Sequence, residues 1–144
     1  DRGDPSAADQ AEYELGGDLA MTFDEARERL RFHAGSHPDI DDPRWEQGFL
    51  QRLRPYRGLD EAAYLDLTAC VEAVSDHLQH SGTLDREVIN SLWSICHFTR
   101  MWALAEDGML RQNKLISPVD REKLDGWITS ISYRIAMWLD GNTP

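Results

Sequence analysis

Leu84-Asp85-Arg86-Glu87 opens a long apolar-rich run in this chain, and close copies of it open two others. The copies are Leu59-Asp60-Glu61 and Val119-Asp120-Arg121-Glu122. An aspartate or serine ahead of such a run caps a helix, because its side chain accepts hydrogen bonds from backbone N–H groups that have no partner within the helix. Three similar helix starts, each followed by apolar residues at helical spacing, predict an all-α protein.

The same reasoning along the rest of the chain predicts five helices. Short loops place neighbouring helices antiparallel, so we expect a four- to five-helix up-and-down bundle. The bundle forms one domain over residues 21–144, and residues 1–20 form an acidic N-terminal tail. The predicted helices cover Phe23 to His33, a short segment from Pro43 to Pro55, Asp60 to about Gln79, Asp85 to about Glu106, and Pro118 to Gly141.

Composition indicates a packed core and no membrane-spanning segment. Hydrophobic residues make up 41% of the chain, which is too many for a disordered protein. No stretch without a polar residue is longer than the one from Ile135 to Leu139, far short of the roughly 20 apolar residues that a membrane helix requires. We therefore expect no membrane partner.

The formal net charge of −11 is unevenly distributed along the sequence. Residues 58–107 carry nine acidic and two basic residues, a net charge of −7. Proteins bind the phosphates of nucleic acids through clustered Lys and Arg. A chain this acidic should repel those phosphates, so we expect no nucleic-acid partner. It is compatible with a basic protein partner, although the charge also serves simple solubility.

The two cysteines, Cys70 and Cys96, each lie in the middle of an apolar helical stretch. Buried free thiols are typical of proteins in a reducing compartment, so this pattern favours a cytoplasmic location. A disulfide between them would require their helices to lie face to face at the right separation.

The histidines provide the strongest candidate metal site. His77 and His80 are three residues apart on one predicted helix, and His97 is the obvious third ligand. Helical bundles do hold metals between side chains of facing helices, but they often use Glu-x-x-His pairs, which this chain lacks. The alternative is that these histidines are structural or solvated. We expect no cofactor, since the sequence also lacks a glycine-rich phosphate loop and a Gly-x-Ser-x-Gly motif.

Two features suggest surfaces that bind a protein. Trp45 follows the acidic loop that contains Asp41 and Asp42, a make-up typical of a protein-binding anchor, although Trp45 equally suits the core. Acidic residues of the segment 58–107 would steer a basic partner to the surface. These residues are Glu61, Asp66, Glu72 and Asp76.

The fourth and fifth predicted helices are apolar around most of their circumference, which suggests a homodimer formed through them. Taken together, the sequence predicts a non-catalytic cytoplasmic protein that binds another protein, of the inhibitor, immunity or adaptor type. The alternative is a bundle enzyme that binds a metal or small ligand through His77, His80 and His97.

Overall fold

The computed structural model describes residues 20–144, and within them the protein is all-α, with no strand. The tail expected over residues 1–20 lies outside the described residues except for its last position. The elements are α1 (Phe23–His33), α2 (Glu61–Ala73), α3 (Ser75–His80), α4 (Arg86–Thr99), a π-helical segment (Arg100–Leu104), α5 (Met109–Gln112) and α6 (Pro118–Leu139).

The four longest helices begin where the sequence predicts. Each is preceded by a residue whose side-chain oxygen accepts a hydrogen bond from a backbone N–H in the first turn, which satisfies a donor that has no partner within the helix. For α4 the bond runs from Val88 N to Asp85 Oδ1 over 3.0 Å. The capping residues are Thr22, Asp60, Asp85 and Ser117.

The prediction of a short helix between Pro43 and Pro55 is wrong, because this segment is a series of turns. Its backbone makes hydrogen bonds to the end of α1 instead of building its own helical ladder. The N–H of Phe49 donates to Nδ1 of His33 over 3.1 Å, and the N–H of Leu50 donates to the His33 carbonyl over 3.0 Å. Contacts with a distant element therefore override the local helical pattern.

The third and fourth predicted helices are each modified. The helix expected from Asp60 to Gln79 is interrupted at Val74, which separates α2 from α3. The helix expected from Asp85 to Glu106 widens into the π-helical segment, in which the N–H of Ala105 donates to the carbonyl of Arg100 over 2.8 Å. This five-residue hydrogen-bond spacing shifts the register of the side chains that follow.

The helices pack around one apolar core. Helix α1 packs on α2 and α4, while α6 contacts α2, α3 and α4. The up-and-down order of the bundle remains a prediction. None of the helices in residues 20–144 is both long and apolar enough to cross a membrane. The side chains at the centre of the core include Leu30, Leu67, Val71, Val88, Ile95, Leu124, Ile128 and Ile131.

Candidate functional site

Helices α4 and α6 lie side by side and leave an open groove of about 200 Å³ on the surface, which we call the α4/α6 groove. Its walls are almost entirely apolar. The lining residues are Ile89, Leu92, Trp93, Cys96, Arg100, Ser132, Ile135, Ala136 and Leu139.

The groove arises because α4 has more apolar positions than the core can take. Val88 and Ile95 point into the core and are 0% and 1% exposed. Trp93 lies on the opposite side of the helix and is 71% exposed. Scattered apolar residues are normal on protein surfaces, but a large exposed aromatic beside an apolar groove is typical of a binding site.

The apolar surface continues past Trp93 into a second hollow of about 210 Å³, which we call the Met101 hollow. Trp93, Cys96 and Arg100 line both cavities. His97 lines the hollow, and its ring is stacked on that of Trp93 at a centroid distance of 6.2 Å. Met101 is 50% exposed. The surface around Trp93 is therefore wider than the groove alone.

The π-helical segment forms one end of this surface. Its first residue, Arg100, lines both the groove and the hollow, and its Nη2 donates to Oγ of Ser132 over 2.8 Å. Isolated π turns within helices are often found at functional sites, where they redirect side chains. Here the π turn begins at Arg100, and both Arg100 and Met101 lie at the edge of the apolar surface.

A separate polar cleft of about 300 Å³ lies between α1, α2 and the turns of residues 43–55, which we call the turn segment. At its base, Nε2 of His33 is 2.7 Å from Oδ2 of Asp66, and Nη1 of Arg29 donates to Oδ1 of the same carboxylate over 2.8 Å. The hydrogen bond from His33 and the nearby Arg29 charge lower the pKa of Asp66, against the effect of burial.

His33 and Asp66 together with Cys70 have ligand atoms that all lie within 4.8 Å of one another, but their hydrogen bonds do not suit a metal. The N–H of Phe49 donates to Nδ1 of His33, so in the neutral ring the proton is on Nε2, the nitrogen that would have to face the metal. Burial also raises the pKa of the Cys70 thiol, which keeps it protonated. The arrangement fits a structural cluster of His33, Asp66 and Cys70 that joins α1 to α2, which we call the His33 cluster.

The three histidines predicted as metal ligands do not form one group. His77 accepts a hydrogen bond from the N–H of Asp85 over 2.9 Å, and Nδ1 of His80 is 2.9 Å from Oδ1 of Asp76. Both border one shallow depression, whereas His97 lies in the Met101 hollow. In the part of the chain that the structure describes, the cluster of His33 is the one group of three such ligands.

Within the described residues, the predicted partner-binding acids separate into side chains that pair with an arginine and side chains that do not. Asp66 is bound as described, Glu72 accepts from Nη1 of Arg134 over 2.8 Å, and Asp42 pairs with Arg44 over 2.9 Å. The hydrogen bonds from Arg44 lower the pKa of Asp42 to about 2.

Glu61 and Asp41 are exposed, and Asp76 is exposed beside His80. Trp45 is half-buried on the turn segment and is not part of the apolar core cluster. Among the predicted acids, the charge most available to a partner is therefore that of Glu61, Asp76 and Asp41.

Comparison of the chain with protein-family models, curated proteins and solved structures finds no match.

Proposed function

We propose that the protein is non-catalytic and works by binding protein, with the α4/α6 groove as its contact surface. The single observation that supports this most directly is Trp93, a tryptophan that is 71% exposed beside an apolar groove. Tryptophan is enriched among the residues that dominate binding energy at protein interfaces. Apolar grooves between two helices are also a common docking site for the apolar face of a third helix.

The acidic side chains away from the groove would act on the rate of encounter with a basic partner. Glu61 and Asp76 are exposed on α2 and α3, and long-range attraction raises association rates at low salt. We therefore include an inhibitor, immunity or adaptor role in the proposal. A cytoplasmic location is part of it too, supported by two buried cysteines that form no disulfide.

The test compares two charge substitutions of exposed apolar residues. Trp93→Glu places a carboxylate at the groove. Leu65→Glu is the control, because it places a carboxylate at a 61% exposed position of α2 that does not line the groove. Each tagged protein is used to isolate bound proteins from the organism of origin. We expect the wild type and Leu65→Glu to retain a protein, either this chain itself or a different one, that Trp93→Glu loses. Equal retention by all three would contradict the role of the groove.

A second comparison tests steering by the acidic residues. The double substitution Glu61→Lys and Asp76→Lys should slow association with a basic partner at low salt and leave the dissociation rate nearly unchanged, because both side chains are exposed. Stopped-flow or surface-binding kinetics at two salt concentrations measure this. An association rate unaffected by the substitutions would remove the steering part of the proposal.

A further inference from the structure

Trp93 and the α4/α6 groove lie next to each other on one face, so this face carries both a protruding side chain and a cavity to receive one. In a two-fold symmetric dimer the same patch of both copies forms the interface, so the patch must be complementary to itself. A projecting part of the patch on each copy then contacts the receiving part of the patch on the other. An exposed indole beside an apolar groove of about 200 Å³ meets that requirement.

Helices α4 and α6 run antiparallel, which fixes the direction of the groove. Arg100, just after the end of α4, bonds to Ser132 of α6. The residues after the end of α6 meet the chain ahead of α4, where Nε2 of Gln79 donates to Oγ1 of Thr143 over 3.1 Å. One end of the groove is thus marked by Arg100 and the other by Leu139.

The charges at the two ends are opposite. Arg100 is exposed and is the one formally charged residue that lines the groove. Asp140, which follows Leu139 at the other end, is also exposed. A two-fold axis near Trp93 would bring Arg100 of each copy to Asp140 of the other, so two chains of net charge −11 would form two ion pairs across the contact.

We propose that the α4/α6 groove is occupied by a second copy of this chain, in a two-fold dimer that places Trp93 of each copy in the groove of the other. The inference rests on the proposed binding role of the groove. An aromatic side chain buries roughly 150–250 Å². Two Trp93 side chains and the groove walls that they cover would together bury on the order of 600 Å², about half of the ~1,200 Å² at the lower end of stable interfaces. The Met101 hollow extends the contact beyond this.

Sedimentation equilibrium of the full chain, from micromolar to millimolar concentration, tests the dimer. We expect the wild type and Leu65→Glu to dimerise with similar affinity, and Trp93→Glu to weaken the dimer by about 30-fold or more. Trp93 is exposed, so circular dichroism should show that this variant folds normally. A wild type that stays monomeric at millimolar concentration, or a Trp93→Glu variant that dimerises as well as Leu65→Glu, would overturn the proposal.

A charge exchange tests the two-fold geometry. In a dimer of the Arg100→Glu variant, the new carboxylate of each copy would face Asp140 of the other. In a dimer of the Asp140→Arg variant, the new guanidinium of each copy would face Arg100 of the other. Each substitution alone should therefore weaken the dimer by about tenfold. An equimolar mixture of the two variants restores both ion pairs and should form a heterodimer of near wild-type affinity. A mixture that associates no better than its components would overturn this arrangement.

The isolation of bound proteins described above keeps the two proposals apart. A monomeric wild type that still retains a different protein, lost in Trp93→Glu, would remove the dimer and leave the binding role of the groove. A monomeric wild type that retains nothing dependent on Trp93 would remove both.

Discussion

His33 and Asp66 join α1 to α2 through a contact of 2.7 Å between Nε2 and Oδ2. The other ring nitrogen of His33 accepts the backbone N–H of Phe49 over 3.1 Å. One buried imidazole thus fixes three segments that are distant in sequence, and its two hydrogen bonds leave neither nitrogen free.

Asp66→Ala should lower the free energy of unfolding by about 2 kcal/mol, because it leaves a buried imidazole donor without its acceptor and removes the pair with Arg29. Urea unfolding followed by circular dichroism measures the change. Asp76→Ala is the control, since the side chain of Asp76 is 91% exposed and its pair with His80 should contribute no more than about 0.5 kcal/mol. Equal losses in the two variants would contradict the structural role of the His33 cluster.

The stability of the protein should decline in acid partly through Asp66. Its pKa is lowered in the folded protein, chiefly by the hydrogen bond from His33, so the unfolded chain takes up its proton at higher pH than the folded one. The stabilisation is complete above the unfolded pKa of about 3.9 and is lost as the pH falls through the folded pKa.

Asp66→Asn should therefore show a weaker dependence of unfolding free energy on pH below about pH 4 than the wild type. Urea midpoints measured across that range provide the comparison. Part of the dependence should remain, because the pKa of Asp85 is also lowered: the N–H of Val88 and the side chain of Arg27 outweigh the effect of burial there. Curves of identical slope for the variant and the wild type would rule out a contribution from Asp66.

Helix starts were predictable from the sequence because their causes are local. Asp85 caps α4 through a backbone N–H only three residues away, and the sequence alone contains both partners. The segment from Pro43 to Pro55 was not predictable in the same way, since its backbone bonds to His33, 16 residues from Phe49. An apolar spacing that resembles a helix gives no information on such a partner.

The candidate site was predictable only in outline. The sequence indicates that the helix of Trp93 is apolar on nearly every side, which suggests an interface, but it does not show which side the core leaves uncovered. That depends on where α6 packs, since Arg100 is held at the edge of the groove by its hydrogen bond to Ser132 of α6. The contact between His33 and Asp66 carried no sequence signal beyond a histidine at a helix end.

Gly108→Ala should destabilise the protein by about 1–3 kcal/mol, the usual cost of overpacking. A Cβ at this position would lie 2.5 Å from the carbonyl oxygen of Met101 and 2.8 Å from that of Trp102, both in the π-helical segment. Gly126→Ala is the matched control within α6, because nothing lies within 4 Å of a Cβ there. It should stabilise the protein by about 0.5–1 kcal/mol, as alanine favours a helix interior over glycine. Thermal or urea unfolding measures both changes in stability. Stabilisation by both substitutions would show that the backbone at Gly108 does not pack closely against the π turn.

The two cysteines should differ in their reactivity toward a thiol reagent such as an aromatic disulfide. Cys70 is fully buried, and Cys96 is 8% exposed at the wall of the α4/α6 groove. Burial raises the pKa of both thiols, so neither should react at the rate of a free cysteine. In the native protein we expect Cys96 to react slowly and Cys70 to react only after unfolding in urea, while Cys96→Ala should abolish the native reaction. A Cys70 that reacts in the folded Cys96→Ala variant would contradict the burial of the His33 cluster.

The reaction rate of Cys96 should also depend on dimerisation, because a second copy in the groove would cover this thiol. The rate should fall as the protein concentration rises, whereas in the Trp93→Glu variant it should stay independent of concentration.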